Sequence, residues 1–435
     1  MITAFQNIAR IEELRKRILF TLAMLAVYRV GCIVVTPGIN GNVIRQFFTD
    51  MQGTMFGLLN VFSGGAMESL SIFALGIMPY ISASIIFQLL TVVVPALERL
   101  KKEGSEGQKR ITQWTRYATI GLALFQSFLM AKALEGGQFG LGAVLEPGLA
   151  FEITTMITLT SGTAFIMWLG EQVTERGIGN GISLIIFSGI IVGLPSGISN
   201  VIDLVRTDQF SILEVLFLGA IVIGAIAFVV YVERGQRRIP IQHARRGGGT
   251  AASSSMSYFP LRVNSAGVIP PIFASSLLMF PMTIRQYSDN PTIQRFIDDW
   301  MNPGSLVYNG VYVALIIFFC FFYTSIVINP DDVSENIKRS GGYIPGVRPG
   351  RKTAEYIDAV LSRLTLVGAI YVAGICVLPV LLSQRMGVPF YFGGTALLIV
   401  VSVAMDTMGQ IEAHLVSRKY EGVGTSGRVR GRLGR

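Results

Sequence analysis

Groups able to do chemistry are few in this chain, and their spacing argues against most chemistry. His243 and His414 stand alone, with no second ligand at metal spacing, so no metal site is expected. Cys32, Cys320 and Cys376 each fall inside an apolar run, which fits buried thiols better than a disulfide framework. "ERGIGNG", Glu175 to Gly181, has three glycines at alternate positions but neither phosphate-cradle spacing, and no strand precedes it, so it reads as a tight turn into the next helix. No nucleophile elbow, zinc-protease motif or acid pair lies within the apolar runs. The ionisable groups inside or bordering those runs are Arg29, Glu152, Glu171 and Asp406. An ion-coupled transporter or an intramembrane enzyme needs charged or polar groups at mid-depth. Here the middles are aliphatic, so the chain is expected to be no enzyme and to need no cofactor.

The elements that would position these groups are membrane helices. The 435 residues are 51% hydrophobic and only 14% charged, far below the roughly 25% charge of a soluble domain. Ten stretches qualify as spans: Ile18–Val35, Ser71–Val94, Tyr117–Ala131, Ile153–Leu169, Gly177–Ile202, Ser211–Val232, Val263–Ile284, Leu306–Ile328, Leu364–Gln384 and Met386–Met405. The fifth and seventh are interrupted by glycines and prolines, a pattern tolerated where protein or a water-filled cavity replaces lipid. The basic cluster Arg15, Lys16 and Arg17 precedes the first run without a cleavage site behind it, so that run is read as a retained span. With ten alternating spans, 29 of the 36 Lys and Arg residues fall on the side of the two termini, which places both termini in the cytoplasm. Two long basic loops on that side, 233–265 and 330–363, exceed what joining two helices requires. They read as docking surfaces for a negatively charged partner such as ribosomal RNA, or, more simply, as topology signals that attract anionic lipid.

One stretch is too long for its place. No charge interrupts the 29 residues between Glu68 and Glu98, and a helix of that length would reach about 44 Å against a hydrocarbon core of about 30 Å. Part of it must therefore do something other than span. Isoleucines also recur beside Gly, Pro or Ser in four of the spans, in "GIMPYIS", "GISLIIFSG", "IPPIFASS" and "FGGTALLIVV". Helices rich in small residues pack closely or line cavities, and a ring of aliphatic side chains there would seal a pore rather than bind a solute.

"SGGAMESLSIFALGIMPYISASIIFQLLT", "WLGEQVTERGIGNGISLIIFSGI", "VERGQRR", "VNSAGVIPPIFASS", "PGVRPGRKTAEYID", "RLTLVGA" and "PFYFGGTALLIVV" occur in this order and resemble the signature segments of the SecY/Sec61-alpha family of protein-conducting channels, with the match running from about Arg10 to Tyr420. The resemblance implies an all-α polytopic membrane protein with ten transmembrane helices in two pseudo-symmetric inverted halves around an hourglass pore. The halves would be 1–200 and 201–420, followed by a basic tail, 421–435. It implies a pore ring of Ile77, Ile81, Ile182, Ile186, Ile272 and Ile399. It also implies a short plug helix from Phe62 to Leu70, comprising Phe62, Ser63, Gly64, Gly65, Ala66, Met67, Glu68, Ser69 and Leu70, with packing of the external face as the plainer alternative. Ser82, Gln88 and Asn264 become lateral-gate residues, and Arg237, Arg238 and Arg348 become docking residues on the cytoplasmic loops. Implied partners are the SecE and SecG subunits, the SecA motor, the ribosome, signal sequences, nascent polypeptides and membrane lipid. The function implied is translocation of unfolded polypeptides across the bacterial inner membrane with lateral release of transmembrane segments. The alternative class is an ion-coupled transporter of a small solute. The external loop 287–303 matches the family least and receives no role.

Overall fold

The computed structural model describes residues 11–50, 60, 63–137, 139, 142–207, 210–243, 257–287, 292, 295, 297, 305–386 and 394–426. The described residues hold thirteen helices and three strands; helices dominate because a backbone in lipid must satisfy its hydrogen bonds internally and helices do so. Those of the first half are α1 (Glu12–Gly31), α2 (Gly41–Asp50), α3 (Met78–Val93), α4 (Pro95–Lys102), α5 (Ser105–Glu135), α6 (Leu149–Arg176) and α7 (Gly181–Arg206). The second half comprises α8 (Ile212–Glu233), β1 (Gln236–His243), β2 (Ser257–Arg262), α9 (Ile269–Tyr287), α10 (Leu306–Val327), α11 (Pro330–Arg339), β3 (Gly342–Tyr343), α12 (Arg351–Met386) and α13 (Gly394–Ser426).

Seven of these helices are long and apolar enough to cross a membrane, and α3 with α4 forms an eighth, broken crossing bent by 98°. The break is local chemistry: Val94 is extended and Pro95 opens α4, where a proline lacks the donor that would continue the ladder. Two further helices stand where the first and seventh spans are expected: α1, with Arg29 in its last turn, and α9, with Pro281 inside it. Start signals are equally local. Ser211 caps α8, with Glu214 returning a bond to the Ser211 N–H at 2.9 Å, and the Asn180 carboxamide accepts from the Ile182 and Ser183 N–H groups at the head of α7.

Within the first half, α5 packs between α3 and α6, and α6 packs on α1 and α7; within the second, α10 packs between α9 and α12, and α13 lies on α8 and α12. The main helix contacts between the halves are α7 with α13 and α3 with α9. The two long basic loops meet in one antiparallel sheet of order β2-β1-β3, with Arg238 opposite Pro260 and Gln242 opposite Tyr343. That sheet closes on its own small core of Ile239, Ile241, Leu261, Ile337, Ile344, Ile357 and Leu361.

Several expected boundaries move. The span expected from Ser71 begins as a helix only at Met78, and Ser63 to Gly76 is instead a compact run of turns carrying residues with positive φ at Gly64, Gly65, Leu70 and Gly76. The expected plug helix is therefore corrected to a turn cluster, of which only Ser63 is helical; Phe62 lies outside the described residues. Side chains cause this. The Asn60 Oδ1 accepts the Glu68 N–H at 3.0 Å, its amide donates to Glu68 Oε2 at 3.1 Å, and Ser63 Oγ accepts the Met67 N–H at 3.2 Å. These local bonds compete with a helical ladder.

Candidate functional site

The six isoleucines come from four separate helices or their caps: Ile77 caps α3, Ile81 lies in its first turn, Ile182 and Ile186 are on α7, Ile272 is on α9 and Ile399 is on α13. In the folded chain they form one apolar cluster, with Ile182 at its partly buried edge and the other five buried. Helices α3, α7, α9 and α13 thus bring their isoleucines into one cluster. Exposing such a side chain to water would forfeit about 1.5–3 kcal/mol, so burial in the cluster is favoured.

Ala66, from the turn cluster, is fully buried in that same cluster. The segment is tied to the end of α1 and beyond by backbone bonds in both directions: Thr36 N–H to the Leu70 carbonyl at 3.0 Å and Ile72 N–H to the Val34 carbonyl at 2.9 Å, around a bridge of Val35 with Ser71. Ser69 Oγ adds a bond to the Cys32 carbonyl at 3.1 Å. Behind it, Ile72 and Phe73 wedge between α1 and α6 at two glycines. A Cβ on Gly31 would stand 1.9 Å from the Phe73 ring, and one on Gly162 1.9 Å from the Ile72 carbonyl oxygen. Sequence reasoning missed both glycines, since nothing local distinguishes them from the small residues of any packed membrane helix.

The "ERGIGNG" turn bridges α1 and α13 as well as turning into α7. Ile178 N–H donates to Thr21 Oγ1 on α1 at 3.1 Å, and Gly179 N–H donates to Gln410 Oε1 on α13 at 2.9 Å, so one loop touches both halves. Gly177 is required by the approach, because a Cβ there would meet Thr21 Oγ1 at 2.4 Å. Two ion pairs brace the first half: Arg116 to Glu171 at 2.6 Å joins α5 to α6, and Lys132 to Glu152 at 2.5 Å joins the same helices at their other ends. The ionisable residues at the borders of the sixth helix thus serve packing.

The expected gate residues separate. Ser82 and Gln88 are half-buried on α3, which packs against α9, and Gln88 reaches only Ser84 on its own helix, at 3.5 Å. Asn264 precedes α9 in a turn, donating to Glu233 Oε1 at 2.7 Å and to the Gly267 carbonyl at 3.1 Å while accepting the Gly267 N–H at 3.0 Å. No hydrogen bond joins it to Ser82 or Gln88. Arg237 and Arg238 lie exposed on β1, and Arg348 is exposed on the loop after β3, which Thr353 and Ser334 fix through bonds to the Arg348 and Gly350 carbonyls at 3.0 and 2.7 Å. Among the described residues no group of His, Cys, Asp and Glu could hold a metal.

Two bundles of apolar helices sharing one buried aliphatic cluster define a channel-like membrane protein. The chain belongs to the SecY family, whose family model matches residues 71–408. It is 49% identical to the protein translocase subunit SecY of Escherichia coli K12 over 413 residues, covering 94% of this chain and 93% of that one. The fold matches a SecY structure described for a plug domain that stabilises the closed state of the translocation channel, at a TM-score of 0.64 and 18% identity over 93% of both chains. It also matches Sec61 in the canine ribosome-channel complex, at a TM-score of 0.62 and 17% identity over 93% of both chains.

Proposed function

We propose that this chain is the pore-forming subunit of a bacterial protein translocase, conducting unfolded polypeptides through the constriction and releasing sufficiently apolar segments sideways between α3 and α9. The observation that carries this reading is the burial of five of the six ring isoleucines, contributed by both halves, in one cluster with Ala66 of the turn segment, with Ile182 packed against it. An aliphatic ring can yield around a chain of any sequence and close again, because it makes no directional bonds with what passes. Lateral release needs no catalyst, since an apolar segment of span length favours lipid by several kcal/mol in total. Membership of the SecY family sets aside the transporter alternative.

In this reading residues 63–70 act as the plug beneath the ring, and the halves 1–200 and 201–420 move against each other about their contacts. Both termini and the sheet-bearing loops face the cytoplasm, in keeping with the one-sided basic charge. Arg237, Arg238 and Arg348 are the docking residues there, for a ribosome or for the SecA motor, and SecE and SecG are the membrane partners. The exposed apolar residues of α8, among them Leu213, Leu216, Phe217 and Ile223, are available to lipid or to such a subunit. The test is reconstitution with these partners: proteoliposomes should protect an added unfolded secretory precursor from protease only when the motor and ATP are supplied. Protection by empty liposomes alone, or none under any condition, would contradict it.

A further inference from the structure

Arg29 is an arginine inside a membrane helix, where a charge is costly and calls for a reason. Its guanidinium is a fork. Nη1 donates to the carbonyl of Gly64 at 2.8 Å, and Nη2 donates to the carbonyl of Ser188 on α7. Nε is buried without a partner, and no ion pair engages the residue among the described residues, so those two carbonyls carry its engagement. Its neighbour Tyr28, whose ring lies under the guanidinium with Cζ 5.3 Å from the centroid, donates its hydroxyl to the Ser63 carbonyl at 3.1 Å. The backbone of the turn segment is pressed onto α7 at this point. A Cβ on Gly64, which has φ of +69°, would lie 2.9 Å from the Gly189 Cα and 3.1 Å from the Tyr28 hydroxyl.

We propose that Arg29 is a positioning residue for gating, a latch whose forked guanidinium pins the plug backbone at Gly64 to α7 at Ser188 and so sets the energy of plug release. The latch rests on reading residues 63–70 as the plug. A planar fork with separately directed N–H groups can hold two carbonyls at once, whereas a lysine ammonium is a compact point charge on a flexible stem. Main-chain carbonyls as the partners make the latch independent of plug side chains, so plug sequence can change while the hold persists. When the plug leaves, Gly64 goes with it and Arg29 keeps only Ser188, so each release breaks a charge-assisted bond.

The experiment is resting ion conductance of the channel, reconstituted with its partner subunits in planar bilayers, for four forms: unaltered, Arg29→Gln, deletion of Gly64–Ser69, and both changes together. Loss of a charge-assisted bond should raise the open fraction of Arg29→Gln about tenfold to a hundredfold, and the combined form should leak no more than the deletion alone. Arg29→Lys should recover only part of the seal; full recovery would overturn the two-carbonyl fork. A leaking deletion beside a tight Arg29→Gln would overturn the latch and leave the plug reading standing. Tight behaviour of both would end the plug reading and the latch with it. Leaks that add in the combined form would mean that Arg29 acts elsewhere, and would also overturn the latch. Tyr28→Phe, which removes one bond without touching the charge, should leak several-fold more than the unaltered channel even if Arg29→Gln fails to assemble; no increase would count against the proposal.

Discussion

Shortening the ring side chains should open the channel at rest in proportion to what is removed. Ile77 and Ile186 are 2% and 4% exposed and come from different helices, so each contributes its full burial to the closed state. Ile→Val in such a site costs about 0.5–1.5 kcal/mol, and Ile→Ala about 2–5 kcal/mol. If the open state leaves these side chains in water, that cost falls on closure rather than on folding. At about 1.4 kcal/mol per tenfold change, Ile186→Val should raise the resting open fraction by roughly tenfold or less, and Ile186→Ala by roughly thirtyfold or more. Replacing both Ile77 and Ile186 with Gly should leak most. The assay is conductance across planar bilayers containing the reconstituted complex, with thermal unfolding of the same preparations alongside. A graded leak with a small change in unfolding temperature is expected. A large fall in unfolding temperature with conductance unchanged would show that these residues are ordinary core, and would refute the ring.

Deleting Gly64–Ser69 should raise resting leak while leaving precursor translocation measurable by protease protection. Gly162→Ala should shift the Ile72–Phe73 wedge, because the added Cβ meets a carbonyl oxygen at 1.9 Å; a destabilisation of about 1–3 kcal/mol, read by thermal unfolding, is expected of such overpacking. Replacing Arg237, Arg238 and Arg348 with Ala should weaken ribosome binding and flatten its salt dependence without altering unfolding, since all three are exposed.

The spans and the clustering of the isoleucines were legible in related ways: lipid imposes uncharged runs, and the isoleucines sit beside helix-breaking or small residues where helices pack together. What lay beyond reach was set by contacts distant in sequence or by side-chain bonds too local for periodicity. Asn60 folding onto Glu68 converts an expected plug helix into turns. Ile239 and Ile241 alternate as a strand should, yet β3 lies about a hundred residues further on, and no local signal pairs Gln242 with Tyr343. Helix α12 begins at Arg351, well before its apolar run, because its first turns pack Ile357 and Leu361 into the core under the sheet rather than into lipid. Arg29 was visible as an anomaly, but its partners are carbonyls, which a sequence does not single out. Asn264 was legible as polar but not as the ligand of Glu233.

The central claim is that the buried isoleucine cluster is the path of the translocating chain. A photo-crosslinking amino acid placed singly at Ile186, Ile399 or the exposed Ile223, with a precursor arrested halfway through the reconstituted complex, tests it directly. Adducts to the precursor from positions 186 and 399, and none from 223, are the result expected. Adducts from 223 with none from the ring positions would contradict the account.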